Sequence, residues 1–334
     1  MTFKKALVFC VVVLSLGLIG IRPVYGAEYP PDILRYVLFQ TEAVMNDVAL
    51  YLGWDVEDKE GLQKACKEAI SHIDELLEDL SGINVKDYEG LVKDERDGLL
   101  SLREIYTRIL KERVSDKEIE SLFSGLEPKM MKVAKGVAEL NKAEFKTCPE
   151  INLDEVILKN LPKDKKDLYQ RALAEIKADN LKSACELLGD LISSMGDATI
   201  TYCLRYKKID VEIQLFGRGE YKEEGVPEER MIALGEEVFK KEVYLPCLSE
   251  IFRSWRHYYQ IMWGGVSNWS HIYNWEYNKV RLKLSSLIRE YLSDHPNDKI
   301  ARAQLCHLWL DTNILRGGPF GNSVLGDGMW PVEE

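Results

Sequence analysis

Residues 58–82, DKEGLQKACKEAISHIDELLEDLSG, place Leu62, Cys66, Ala69, Ile73, Leu76 and Leu80 at intervals of three and four. That spacing puts all six on one face of an α-helix, leaves the charged residues on the other, and ends at Ser81-Gly82. A helix with one apolar stripe must bury it against other elements, and the neighbouring sequence supplies helices of the same kind. Upstream, Asp32 to about Leu52 reads as a helix ending at Gly53. Downstream, a third helix from about Asp87 carries Leu91, Leu99, Leu102, Ile105, Tyr106 and Ile109. A fourth opens with Ser115-Asp116-Lys117-Glu118, which has the form of a capping box, and Gly125 and Pro128 are expected to break or bend it. Short connections between such helices favour antiparallel neighbours, so residues 28–147 are expected to form an up-and-down bundle with a solvated Lys/Glu face.

A boundary falls at Thr147-Cys148-Pro149, and a second helical region occupies 148–315. Within it, residues 167–192, DLYQRALAEIKADNLKSACELLGDLI, contain a polar break at Asp179-Asn180-Leu181, then Ala184 and Leu188 as the small and large apolar contacts of a second helix. Leu284, Ile288, Tyr291 and the helix-ending His295-Pro296-Asn297-Asp298, followed by Leu305, Cys306 and Trp309, give a second patch of the same kind. Both resemble units of the tetratricopeptide-repeat family, although Arg171 and Glu175 stand where that motif has leucine and an aromatic residue, and Leu284 stands where it has a small one. The resemblance covers about a sixth of the chain. It implies stacked helical hairpins with a concave surface for a protein or peptide.

Ile209 to Leu215 alternates apolar and polar residues as a half-buried strand does. Ile209, Ile213 and Phe216 also share a helical face, and with no second strand in view helix is the preferred reading. The expected fold is therefore all-α: an antiparallel bundle, then helical hairpins, then a Gly/Pro-rich tail over 316–334 in which Phe320, Leu325, Met329 and Trp330 are available for docking.

At the amino terminus, Lys4 and Lys5 precede an uncharged, largely apolar stretch from Ala6 to Ile21, followed by Arg22-Pro23-Val24-Tyr25-Gly26-Ala27. This is the layout of a signal peptide over 1–26 cleaved near Gly26 or Ala27, and Arg22 leaves an uncleaved membrane anchor as the alternative. The expected location is extracytoplasmic. Removing 1–26 lowers the Lys and Arg count from 44 to 41 against 55 acids, a net charge of −14. Nucleic acid and anionic lipid are poor partners for such a chain, which has no long basic run. Six cysteines remain after cleavage, a number that permits disulfides outside the cytoplasm. Cys148 and Cys247, both beside prolines, are the strongest candidates to take part, while Cys66, Cys185 and Cys306 sit among apolar helix positions as small hydrophobes.

Residues 252–277, FRSWRHYYQIMWGGVSNWSHIYNWEY, hold the densest aromatic content. Phe252, Trp255, Tyr259 and Trp263 fall at helical spacing before Gly264-Gly265, and a new helix from Ser267 or Asn268 carries Tyr273, Tyr277, Val280, Leu284, Leu287 and Tyr291. Such stripes ordinarily pack a core. If rings remain outside, Trp255, Tyr259, Trp263, Trp269 and Tyr273 with Arg253, Arg256, His257 and His271 would make a binding face. Catalysis has less support. His257 and His271 are available as general bases, yet no nucleophile motif, H-E-x-x-H or phosphate loop accompanies them, and His72 is a lone histidine beside an apolar stripe. No catalytic residue, metal site or cofactor is expected. Asn268-Trp269-Ser270 matches an N-glycosylation sequon. The function expected is binding or scaffolding of a protein or peptide, with an extracytoplasmic small-ligand sensor as the alternative and an enzyme third.

Overall fold

The computed structural model describes residues 29–53, 59–111, 114–146, 148–241, 244–262 and 270–310. Residues 1–28, which include the stretch expected to be a signal peptide, Trp263, Trp269 and the 316–334 tail lie outside them. Among the described residues there are twelve α-helices and no strand: α1 (Pro30–Gly53), α2 (Lys59–Ser81), α3 (Glu89–Lys111), α4 (Asp116–Glu144), α5 (Leu153–Asn160), α6 (Lys166–Lys177), α7 (Leu181–Met195), α8 (Thr201–Gly217), α9 (Pro227–Lys241), α10 (Leu248–Met262), α11 (Ser270–Asp294) and α12 (Lys299–Leu310). The all-α expectation holds.

Helices α1 to α4 pack each on the next, and α1 also meets α4. The cross-links between α3 and α4 run in opposite senses along the two helices: Asp94 pairs with Lys132 and Ser101 with Lys129. The two helices are therefore antiparallel. At the start of α4, the Glu118 carboxylate accepts the backbone N–H of Ser115 at 2.8 Å and its hydroxyl at 2.7 Å, which lowers the Glu118 pKa. Pro128 does not break the helix. It lies on the exposed side of a continuous α4, where the carbonyl deprived of its N–H partner faces water.

Helix α1 differs from the other three. Every residue from 31 to 45 is buried, because α2, α3, α4 and α11 surround it. The chain thus returns from its C-terminal part to cover α1, with Asn278 opposite Gln40 and Ser285 opposite Asp32 in antiparallel register. The α11 face turned to α1 is Asn278, Arg281, Ser285 and Arg289. The apolar stripe read from the sequence instead supplies Leu284 to the core and Val280, Leu287 and Tyr291 to its margin.

From α6 to α10 each helix packs on its successor, and α12 packs on both α10 and α11. Helix α6 ends with Asp179 in the left-handed region (φ 64°), the N–H of Asn180 bonding to the carbonyl of Glu175. Helix α8 ends in the same way at Gly219 (φ 67°), the N–H of Glu220 bonding to Leu215. Arg218 grips Asp179 through two bonds of 2.9 and 2.8 Å, so the two helix ends lie side by side. Residues 209–215 are helical. Their alternation arises because α8 is packed on two sides, by α7 and by α9, burying Ile209, Val211, Glu212 and Leu215 around its circumference.

Two disulfides fasten this part. Cys203 of α8 joins Cys247 ahead of α10, and Cys148 after α4 joins Cys306 of α12. Cys306 was expected as a free hydrophobe; its helix position is buried, but the connector after α4 crosses it and brings Cys148 within 5.7 Å, Cα to Cα. Cys66 stays free in the core, burial pushing its thiol up to about 12.

Candidate binding groove

The aromatic stretch divides between core and undescribed residues. On α10, Phe252, Trp255 and Tyr259 are buried, with the Trp255 ring 5.2 Å from Phe252 and 5.6 Å from Phe239 of α9. Gly235 of α9 is what admits the indole: a Cβ there would stand 2.0 Å from Trp255 Cγ. Trp255 and Tyr259 are thus committed to intramolecular packing. Arg253 is exposed and pairs with Glu250 one turn back at 2.5 Å, and His257 is exposed with its ring edge-on to Tyr258. The side chains of Arg256 on α10 and of His271 and Tyr273 on α11 are outside the description.

Two clusters that the sequence reading did not single out are instead assembled by the fold. The first lies where α1, α4, α11 and α12 meet. Asp32 Oδ1 accepts from Arg35 Nη1 at 2.7 Å and from Arg289 Nη2 at 2.8 Å, and Oδ2 accepts from Arg289 Nε at 2.6 Å and from the Ser285 hydroxyl. Arg35 also donates to Asn141 Oδ1 and to Glu144 Oε2, each at 2.7 Å, and Arg289 Nη1 meets Glu144 Oε1 at 2.8 Å. The Trp309 indole donates to the Ser285 hydroxyl at 2.9 Å. Asp32 is 1 % exposed and Arg35 fully buried. Burial opposes the charge of Arg289, but its bonds to Asp32 and Glu144 outweigh that and raise its pKa. Because both Asp32 oxygens and all three Arg35 nitrogens are already bonded, this node fastens four helices and offers nothing to a ligand.

The second cluster is open. Helices α7 and α9 each pack on α8 without a comparable pairing between themselves, which leaves a groove of about 370 Å³ with α8 as its floor. Gly189, Ile192 and Ser193 form the α7 wall, Arg230 and Ala233 the α9 wall, and Arg205, Lys208 and Ile209 the floor. Glu212, 2 % exposed, accepts from Lys208 and, at 2.6 Å, from Arg230 Nη1. The same Arg230 nitrogen donates to the Tyr221 hydroxyl and to Glu223 Oε2, each at 3.1 Å, and Lys208 Nζ lies 3.8 Å from Glu223. At the other end Arg205 donates to Glu237 at 2.8 Å and Tyr202 donates to its second oxygen; burial opposes the Glu237 charge, and these two bonds outweigh it and lower the pKa.

Cys185 follows Lys182 and precedes Gly189 on the α7 face that meets this groove. Burial first, and Glu212 second, push its thiol up to about 11, so it is a thiol and not a thiolate at neutral pH. Apolar walls with three cations along them suit an extended segment that carries an apolar side chain and a carboxylate. The sequence signal was present in the helical phase: Arg205, Lys208 and Glu212 are three and four residues apart. In an acidic chain of 334 residues with 99 charged side chains, that spacing alone does not stand out. Comparisons with protein-family models, with curated proteins and with solved structures found no match to this chain.

Proposed function

We propose that this is an exported helical binding protein that docks a segment of a partner protein in the groove over α8. The observation that carries the reading is the convergence of Arg205, Lys208 and Arg230 with Ile192, Ile209 and Ala233 in one open channel between three helices. Charge-assisted bonds would orient the segment, and the apolar walls would exclude water from them. The order of basic, apolar and small residues in 1–27 and the two disulfides support a location outside the cytoplasm. The bundle, fastened to the array by the Asp32 node, serves in this reading as a rigid base.

The test is a photo-crosslinking amino acid placed at Ser193 on the groove wall and, for comparison, at Glu68 on the exposed face of α2. In the native envelope, a discrete crosslinked partner is expected from Ser193 and not from Glu68. Arg205→Glu should abolish it while leaving the melting temperature within a few degrees, as for a surface substitution. A crosslink indifferent to Arg205→Glu, or none at Ser193, overturns the reading. A small carboxylate as the occupant would reveal itself differently, by a melting temperature that rises with added citrate or succinate.

A further inference from the structure

We propose that residues 219–225, between α8 and α9, form a latch at one end of the groove over α8, Glu223 standing on Lys208 and Arg230 where a partner's carboxylate would stand. The segment begins and ends on glycines in the left-handed region, Gly219 at φ 67° and Gly225 at φ 92°, and of the five residues between them all but the half-buried Tyr221 are exposed. Those glycines are swivel points that a side chain would strain. Between them the latch touches the body at three places. Glu220 pairs with Lys182 of α7 at 2.8 Å, Tyr221 accepts from Arg230 and rests edge-on against Phe216, and Glu223 meets Arg230 and Lys208.

All three attachments are weak compared with what lies beneath them. Glu223 is 60 % exposed and Arg230 40 %, so their pair is screened by solvent and salt, whereas Glu212 holds the same two cations from a position almost fully buried. Removing Glu223 therefore leaves Lys208 and Arg230 in place, aimed along the groove and lacking their outer anion. A carboxylate arriving from a partner exchanges one charge-assisted bond for another and needs no rearrangement of the helices. The latch thus sets a threshold: a ligand must outcompete an anion already tethered beside the site.

The inference rests on the groove being a docking site, but its test needs no partner. Lys182, Cys185 and Gly189 follow one another along one face of α7, so the half-buried Cys185 shares that face with the lysine that holds Glu220, and Glu212, Lys208, Glu223 and Arg230 all act on its thiol electrostatically. We would compare labelling of Cys185 by iodoacetamide and by a bulky polymer-linked maleimide, using peptide mass spectrometry and with buried Cys66 as an internal monitor of global opening. Neutralising Glu223 favours the thiolate and accelerates both reagents alike, so the ratio of bulky to small reagent rates reports access. Glu223→Gln is expected to raise that ratio at least threefold and Glu224→Gln, the same charge change one residue on, to leave it unchanged. With 1 M sodium chloride the wild-type ratio should rise toward that of Glu223→Gln, and the variant's should not rise further. An equal ratio in the two variants, or Cys66 labelled in step with Cys185, overturns the latch. Should the ratio rise while Ser193 gives no crosslink, the latch stands and the docking reading falls; a Ser193 crosslink with an unchanged ratio has the opposite meaning.

Discussion

The Asp32 node and the Glu212 cluster are built from the same parts, two carboxylates and two cations, but every pair in the node is hydrogen-bonded whereas Lys208 and Glu223 in the cluster form only a 3.8 Å ion pair. What differs is the outer member. In the node, Glu144 and Arg289 are each about one-fifth exposed and bonded to one another, and Arg289 also lies over the Tyr29 ring, so the ring of charges is closed on itself. In the groove, Glu223 is mostly in water on a segment between two glycines, so the ring has a replaceable quarter. Burial turns one set of ion pairs into a rivet, and its absence turns the other into a contact that can be exchanged.

The comparison breaks most readily at the node. Asp32→Ala leaves the fully buried Arg35 and the mostly buried Arg289 without their shared anion, and removal of one partner from a buried pair costs about 3–5 kcal/mol. Denaturant unfolding should show a lower midpoint with an unchanged slope. Loss below about 1 kcal/mol would place the node among ordinary surface pairs and remove the contrast.

A third carboxylate sharpens the comparison because no cation pairs with it among the described residues. Glu95 of α3 is buried in the bundle, and neither of its oxygens has a hydrogen-bond partner among the described residues. Burial therefore raises its pKa well above the ordinary value. Below the unfolded value, near 4.5, Glu95 is protonated in both states and its acidity adds nothing unfavourable. As pH rises, the unfolded chain ionises first and is stabilised, so folding stability falls until the folded value is passed. Glu95→Leu should remove that fall and stabilise the protein at pH 7 by about 1–3 kcal/mol, the cost of an unmade buried hydrogen bond. Parallel stability–pH curves for the two proteins would show that Glu95 is solvated after all.

Helix type and helix boundaries were legible in the sequence because they depend on near neighbours: the stripe from Leu62 to Leu80, the Ser115 cap and the break at Asp179-Asn180-Leu181 all appear where expected. The phase of the third helix also contained Glu95, which falls between Leu91 and Leu99 on the same stripe, and a charged residue in an apolar phase is a signal that stands out in the sequence. The node was not legible. Asp32 and Arg35 are indistinguishable from a surface i, i+3 pair until α11, some 250 residues later, is known to cover them. The disulfide partners were hidden for the same reason, since Cys148 and Cys306 meet only through tertiary structure across 158 residues. The aromatic content of 252–277 announced packing density, and Trp255 answers to that; content alone does not say which rings a neighbouring glycine such as Gly235 will admit.

The smallest expected effect is the one on which the contrast turns. Glu223→Gln deletes the exposed quarter of the groove cluster, and exposed pairs contribute about 0–1 kcal/mol, so folding stability should change by no more than that. Asp32→Ala and Glu223→Gln each remove one carboxylate from a four-charge ring, so the difference between their unfolding free energies measures what burial adds to otherwise similar chemistry. Salt separates them further. Raising ionic strength from 0.1 to 1 M shortens the screening length from about 10 to about 3 Å, which weakens the Glu223 pairs in solvent far more than the pairs of the buried Asp32. The stability gap between wild type and Glu223→Gln should therefore close with salt, while the gap to Asp32→Ala persists. If both gaps close together, the two rings are equally wet, and Glu223 has no more claim to be replaceable than Glu144.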